Sequence, residues 1–294
     1  MLATAAILLA GCDGAPASPP SFESVRVVAH TRAQCAFGPR VPGSAARDSA
    51  AAYIAGSLRG RGIEVELQSF EIADPYTGEP LRLVNVIGRL SPDKKNRVTL
   101  ASHYDSRPWA DEETLDSLKT LPVPGAVDGA CSSGILLEMA RLAAAAPPGV
   151  GVDFVFFDGE DYGQPDELER YCLGSRQYVA TLSGPRPQAV ILLDMVGGRG
   201  TVVAQEGYSR TNSPELCDDL FARAARLGLP YFQNISAGAI YDDHVPFIQA
   251  GYPAVDLFGF NYPAWHTLGD VPDQVDPALV DQVGALLVDY LWSP

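Results

Sequence analysis

The stretch VDFVFFD (152–158) decides the fold. Apolar side chains fill it apart from Asp153 and the closing Asp158, so it lacks the alternation of a half-exposed strand. It is too short for a helix and reads as a strand buried on both faces. AVILLDMV (189–196) repeats the pattern. Strands of this kind need helices on both sides of their sheet. Those helices can be read on either side: SSGILLEMARLAAAA (132–146), a segment near 170–182, PELCDDLFARAARLG (214–228) and ALVDQVGALLVDYLW (278–292). Ser132 or Ser133 is the expected cap of the first. Further toward the N-terminus lie RVTLASH (97–103), LVNVIGRL (83–90) and the alternating IEVELQSF (63–70). A helix over 42–61 is capped by Ser44 and stopped by Gly60 and Gly62. YPAVDLF (252–258) adds a short strand. The expectation is an α/β fold in a single domain, with a central mixed, mostly parallel twisted sheet and helices on both faces.

The chain has 294 residues, with 36 acidic against 21 basic side chains and a net charge of −15. That field repels nucleic acid, and no Lys/Arg cluster offsets it. A hydrophobic content of 47% rules out a largely disordered chain. Residues 1–10 are an apolar run too short to span a bilayer. They end in Leu9-Ala10-Gly11-Cys12, which resembles a bacterial lipoprotein signal. This implies a signal peptide with lipobox over 1–12, a tether over 13–30 and a catalytic domain over 31–294. The expected location is the cell envelope or periplasm, with membrane contact only through a lipid on Cys12. Cys35, Cys131, Cys172 and Cys217 show no CxxC spacing, and their pairing stays open. A monomer is expected.

In open α/β sheets, ligands bind outside the carboxyl ends of the strands. Strand 97–102 is followed by His103 and Asp105, and strand 152–157 by Asp158-Gly159-Glu160-Asp161. Asp194 and Asp256 end two others, and Asp128 precedes the helix at 132. Singly, such residues are ordinary caps and loop hydrogen bonders. Together in one crevice the carboxylates repel one another unless a cation neutralises them. Asp, Glu and His donors without Cys suit a catalytic Zn²⁺ with one open position.

The blocks HYDSRPWAD (103–111), VDGACSSGILLEMARL (127–142), FFDGEDYG (156–163), YCLGSRQY (171–178), LLDMVGG (192–198), DDHVPF (242–247) and WHT (265–267) resemble the M28 metallopeptidase clan. Within it they are most similar to the glutaminyl cyclases, particularly bacterial ones. The resemblance implies one zinc per chain, bound by Asp128, Asp161 and His266. It makes Glu160 the general acid/base and places Asp194 and Asp242 beside the reacting amide. Trp265 lines the pocket and Trp109 shapes its entrance. The implied substrates are peptides or proteins with N-terminal Gln, cyclised to pyroglutamate with release of ammonia.

The rival within the clan is a two-zinc aminopeptidase, in which His103 and Asp194 hold a second ion and Asp128 is shared. Asp242-Asp243-His244, where those enzymes usually have Ser-Asp-His, favours the cyclase, as does Trp265 before His266. His244 is expected to orient a neighbour. Animal cyclases carry Glu where this chain has Asp161, and His where it has Asp256. Three acidic side chains, Asp194, Asp242 and Asp256, should therefore crowd together with at least one raised pKa. A non-enzymatic ectodomain should show broken ligand positions, and here every one is filled.

Overall fold

The apolar run at 152–158 forms β4 (Gly151–Phe157), which is buried at every position. Val152, Phe154 and Phe156 enter one hydrophobic cluster, and Val155 and Phe157 enter a second on the opposite face. That split is the period of two of a strand covered on both sides. The computed structural model describes residues 21–293. The other strands are β1 (Glu64–Ala73), β2 (Pro80–Leu90), β3 (Arg97–His103), β5 (Ala189–Asp194), β6 (Val202–Gln205), β7 (Phe232–Ser236) and β8 (Ala254–Phe260). They form an eight-stranded sheet in the order β1-β2-β4-β3-β5-β8-β6-β7. β4, β3, β5 and β8 run parallel, with antiparallel strands toward both edges.

Helices cover both faces. α1 (Ser24–Cys35), α2 (Ala45–Arg59), α3 (Ser132–Ala145), α6 (Pro214–Leu227) and α8 (Pro277–Trp292) send Val27, Ile54, Ile135, Leu220 and Leu287 into the first cluster. α4 (Leu173–Thr181) and α7 (His244–Gln249) send Tyr178 and Phe247 into the second. α5 (Gly207–Asn212) packs near the end of β8.

Several expectations change. Residues 24–30 belong to α1 rather than to the tether, because Val27 is fully buried among core residues. Ser44 does cap α2, accepting from Arg47 N. Neither Ser132 nor Ser133 caps α3. The Ser133 hydroxyl donates instead to the His103 carbonyl at 2.9 Å, tying that helix to the end of β3. Asp256 lies inside β8, not past its end. β6 and β7 carry no sequence signal, being only 4 and 5 residues long, with β7 largely exposed at an edge. Cys35, Cys131, Cys172 and Cys217 are free thiols. No helix among the described residues is long and apolar enough to cross a membrane. The signal and lipid-bearing Cys12 expected at 1–12 lie outside the described residues.

Candidate metal centre and active site

The strand ends converge on a cavity of about 330 Å³ lined by Arg107, Glu160, Asp161, Asp194, Asp242 and His266, among others. Asp128 reaches it from a tight turn, Ala126–Cys131, between β3 and α3. Asp270 accepts from Val127 N at 2.9 Å and Asp128 N at 3.2 Å, fixing that turn. The next residue must be glycine, since a Cβ on Gly129 would lie 2.5 Å from His103 Nε2. Glu160 and Asp161 follow β4. Their backbone amides both donate to the buried Asp105 carboxylate at 3.2 Å. The base of the same loop is held by Asp158, which accepts from Arg47 Nη1 at 2.6 Å and Val84 N at 2.8 Å. His266 sits at φ +52°, a left-handed pose unusual for a non-glycine residue. Its ring stacks on Trp265 at 3.9 Å, and its Nδ1 lies 3.3 Å from Asp111 Oδ1.

Consecutive carboxylates at 160 and 161 serve different sides of the cavity. Asp161 joins Asp128 and His266, whose donor atoms lie within 4.8 Å of one another. His266 Nε2 is 3.5 Å from Asp161 Oδ1 and 3.8 Å from Asp128 Oδ2. Asp161 Oδ2 is buried without a hydrogen-bond partner among the described residues. Two carboxylates, an imidazole and an orphaned oxygen beside a cavity fit a zinc ion with an open position. Glu160 instead groups with Cys172 and Asp242.

Arg107 braces the centre. Its Nη1 donates to Asp161 Oδ1 at 2.6 Å, and its Nε and Nη2 grip Asp111 at 2.8 and 2.5 Å. Through Asp111 it also orients His266, the support that ligating groups ordinarily receive from a second layer of side chains. Neither Arg107 nor Asp111 was singled out from sequence, although both fall in the block HYDSRPWAD.

A second group, His103, Asp128 and Asp194, lies alongside. His103 Nε2 is 3.0 Å from Asp128 Oδ1 and 3.2 Å from Asp194 Oδ1, and its Nδ1 is 3.4 Å from Asp105 Oδ1. Burial alone would lower the pKa of this ring, but hydrogen bonds to Asp105, Asp128 and Asp194 raise it well above the usual value. Burial would raise the pKa of Asp128, but the His103 hydrogen bond together with the charges of His103, His266 and Arg107 holds it below the usual carboxylate range. Burial drives Asp161 up to about 6, with Arg107 pulling the other way.

The expected acidic cluster is present. Burial and then the neighbouring Asp194 hold Asp242 well above the usual range, and burial and then Asp242 do the same for Asp256. Burial, then Asp242, likewise raises Glu160. His244 does orient a neighbour: its Nε2 lies 3.0 Å from Glu206 Oε2, and its Nδ1 faces Asp256 at 3.9 Å. Glu206, which no sequence signal marked, also accepts from Ile240 N at 2.9 Å and so holds the segment that carries Asp242.

Trp265 lines the cavity and is 42% exposed. Trp109 is not among the lining residues; it packs against Tyr76 and Tyr162, with ring centroids at 5.1 and 6.0 Å. Tyr171 and Tyr241 line the cavity where sequence reading had named no residue.

Fold and site together define an α/β metalloenzyme with its ligands at the carboxyl ends of parallel strands. The family model for Peptidase family M28 matches residues 85–291, and the chain belongs to that family. It is 28% identical over 288 residues to a glutaminyl-peptide cyclotransferase of Drosophila melanogaster, covering 87% of this chain and 78% of the relative. A glutaminyl cyclase structure from Tannerella forsythia superposes with a TM-score of 0.90 at 35% identity, covering 94% of this chain and 100% of that one. A leucine aminopeptidase precursor from Bacteroides thetaiotaomicron superposes with a TM-score of 0.90 at 33% identity, covering 94% and 98%.

Proposed function

We propose that this protein is a glutaminyl-peptide cyclotransferase, converting the N-terminal Gln of peptides and proteins to pyroglutamate with release of ammonia. The observation that carries this reading is the division between neighbours: Asp161 turns to Asp128 and His266, while Glu160 turns to Asp242. Asp128, Asp161 and His266 would hold one zinc per chain, which when bound would polarise the γ-carboxamide carbonyl of the substrate. Glu160 takes a proton from the substrate α-ammonium. The freed amine attacks the carboxamide carbon, closing a five-membered ring within one molecule, so little orientational entropy remains to be lost. Glu160 then returns the proton to the departing nitrogen, and the second proton shed by the attacking nitrogen leaves with it as ammonium. Burial and then the Asp242 charge raise the pKa of Glu160, which favours its holding a proton in transit. Asp242 and Asp194 share hydrogen bonds beside the amide, and Trp265 lies against the substrate.

The M28 two-zinc aminopeptidase is the second reading, favoured by the group His103, Asp128 and Asp194. Against it, Asp242 stands where those enzymes usually have Ser and crowds Asp194, and Trp265 directly precedes His266. Protein lacking residues 1–12 should convert Gln-β-naphthylamide in an assay coupled to pyroglutamyl aminopeptidase. It should leave Leu-p-nitroanilide intact, and carry about one zinc per chain. Glu160→Gln should abolish conversion while keeping the zinc. Nitroaniline release with about two zincs per chain would establish the aminopeptidase instead.

The protein is proposed to act as a monomer in the cell envelope or periplasm, anchored by a lipid on Cys12. Cys12→Ser should move it from the membrane fraction to the soluble one, and unchanged partitioning would refute the anchor.

A further inference from the structure

One thiol beside the proton-carrying carboxylate has no part in the reaction above. Cys172 is fully buried and sits at φ +57°, a backbone pose that a residue with a Cβ rarely takes. Two hydrogen bonds hold it there. Cys172 N donates to the Glu160 carbonyl at 2.9 Å, and Leu173 N donates to the Gly159 carbonyl at 3.0 Å. The turn directs the sulfur at the catalytic side chain, with Sγ 3.6 Å from Glu160 Oε1. Among the described residues no other side chain donates to the Glu160 carboxylate, and no protein donor meets Oε2. Burial and then the Glu160 charge hold the thiol well above its ordinary pKa, so it keeps its proton and acts as a donor. An S–H group is a weak donor to neutral acceptors, but a carboxylate strengthens the bond. Strained backbone persists where the surroundings enforce it, often at functional sites.

We propose that Cys172 is a positioning residue: its S–H group fastens Oε1 of Glu160 and leaves Oε2 to exchange the proton with the substrate nitrogen. The proposal rests on the assignment of Glu160 as proton carrier. The competing account is packing alone, since a buried Cys also behaves as a small apolar side chain.

Two measurements separate these accounts. The first is the infrared S–H stretching region of the whole protein, compared with Glu160→Ala. Loss of the acceptor should move one S–H band to higher frequency. This readout involves no turnover, so it reports on the contact whichever reaction the enzyme catalyses. The second is kinetic. Cys172→Ala should lower kcat about 5- to 20-fold with KM within about twofold and the zinc content unchanged. Cys172→Ser, which keeps a hydroxyl donor, should stay within about threefold of the parent enzyme. An S–H spectrum indifferent to Glu160→Ala overturns the proposal, and so do equal losses in the Ala and Ser variants. Should Cys172→Ala fail to fold, the infrared comparison decides, because it leaves Cys172 in place.

Discussion

Arg47 lies outside the cavity, yet it supports the loop that delivers Glu160 and Asp161. Its guanidinium donates to Asp158 Oδ2 at 2.6 Å and to the Arg82 carbonyl at 2.7 Å, and both charged side chains are buried. Arg47→Met keeps the volume and removes the charge. Asp158 is then a buried carboxylate whose remaining donor among the described residues is the Val84 amide at 2.8 Å. Removing one partner of a buried pair costs about 3–5 kcal/mol, a large part of the roughly 5–15 kcal/mol that holds a typical domain. The penalty should depend on pH. Burial already raises the Asp158 carboxyl to about 7, against the pull of Arg47, and losing Arg47 raises it further. A carboxyl whose folded pKa exceeds its unfolded value loses stability as pH rises, so the variant should be worst on the alkaline side. At about pH 5.5 the carboxyl is protonated, and the penalty should shrink toward the lost hydrogen bonds, about 1 kcal/mol each. Urea unfolding at about pH 8 and pH 5.5 measures both values. Asp158→Asn in the Arg47→Met background should recover at least half of the loss at the higher pH, because it removes the stranded charge. A penalty below about 1 kcal/mol at pH 8, or the same penalty at both pH values, would refute the reasoning.

Other consequences follow from the same geometry. Removing zinc with a chelator should lower Tm by roughly 5–10 °C, since ligand at 100 times its Kd contributes about 2.7 kcal/mol, and re-addition should restore it. An unchanged Tm would mean that the buried carboxylates need no ion. Burial and their mutual repulsion raise Asp242 and Asp256 well above the usual carboxylate range, so a proton shared between them is lost as pH rises and activity should fall on the alkaline side. Asp256→Asn should move that limb of the pH–rate profile, and an unmoved limb counts against a shared proton. For Glu206, burial would raise the pKa, but the His244 hydrogen bond and backbone donors lower it to about 2. Its contribution to stability is therefore present above the unfolded pKa and lost as pH falls from about 4.5 toward 2. The stability gap between parent and Glu206→Gln should close across that acid window, and a gap constant with pH would contradict this. Trp265→Ala should raise KM several-fold more than it lowers kcat, and equal losses in both would remove it from substrate binding.

The apolar run at 152–158 determined the central strand because burial on both faces leaves no room for polar alternation, and local composition records that demand directly. The strand ends at His103, Asp158 and Asp194 were legible for the same reason, since a polar residue closing an apolar run marks the sheet boundary. The motif blocks singled out Asp128, Asp161, His266, Glu160, Asp194 and Asp242, and the fold brings all six to the cavity. Tertiary structure alone decided what those groups touch. Arg107 reaches Asp161 across 54 positions, Arg47 reaches Asp158 across 111, and Glu206 meets His244 across 38. No periodicity encodes pairings at such separations, because they depend on how the strands are ordered rather than on neighbouring residues. The fold likewise set Trp109 in an aromatic cluster with Tyr76 and Tyr162, gave Ser133 to the His103 carbonyl instead of a helix end, and aimed Cys172 at Glu160 through a left-handed turn. Each depends on a backbone direction set by packing, which residue type alone does not specify.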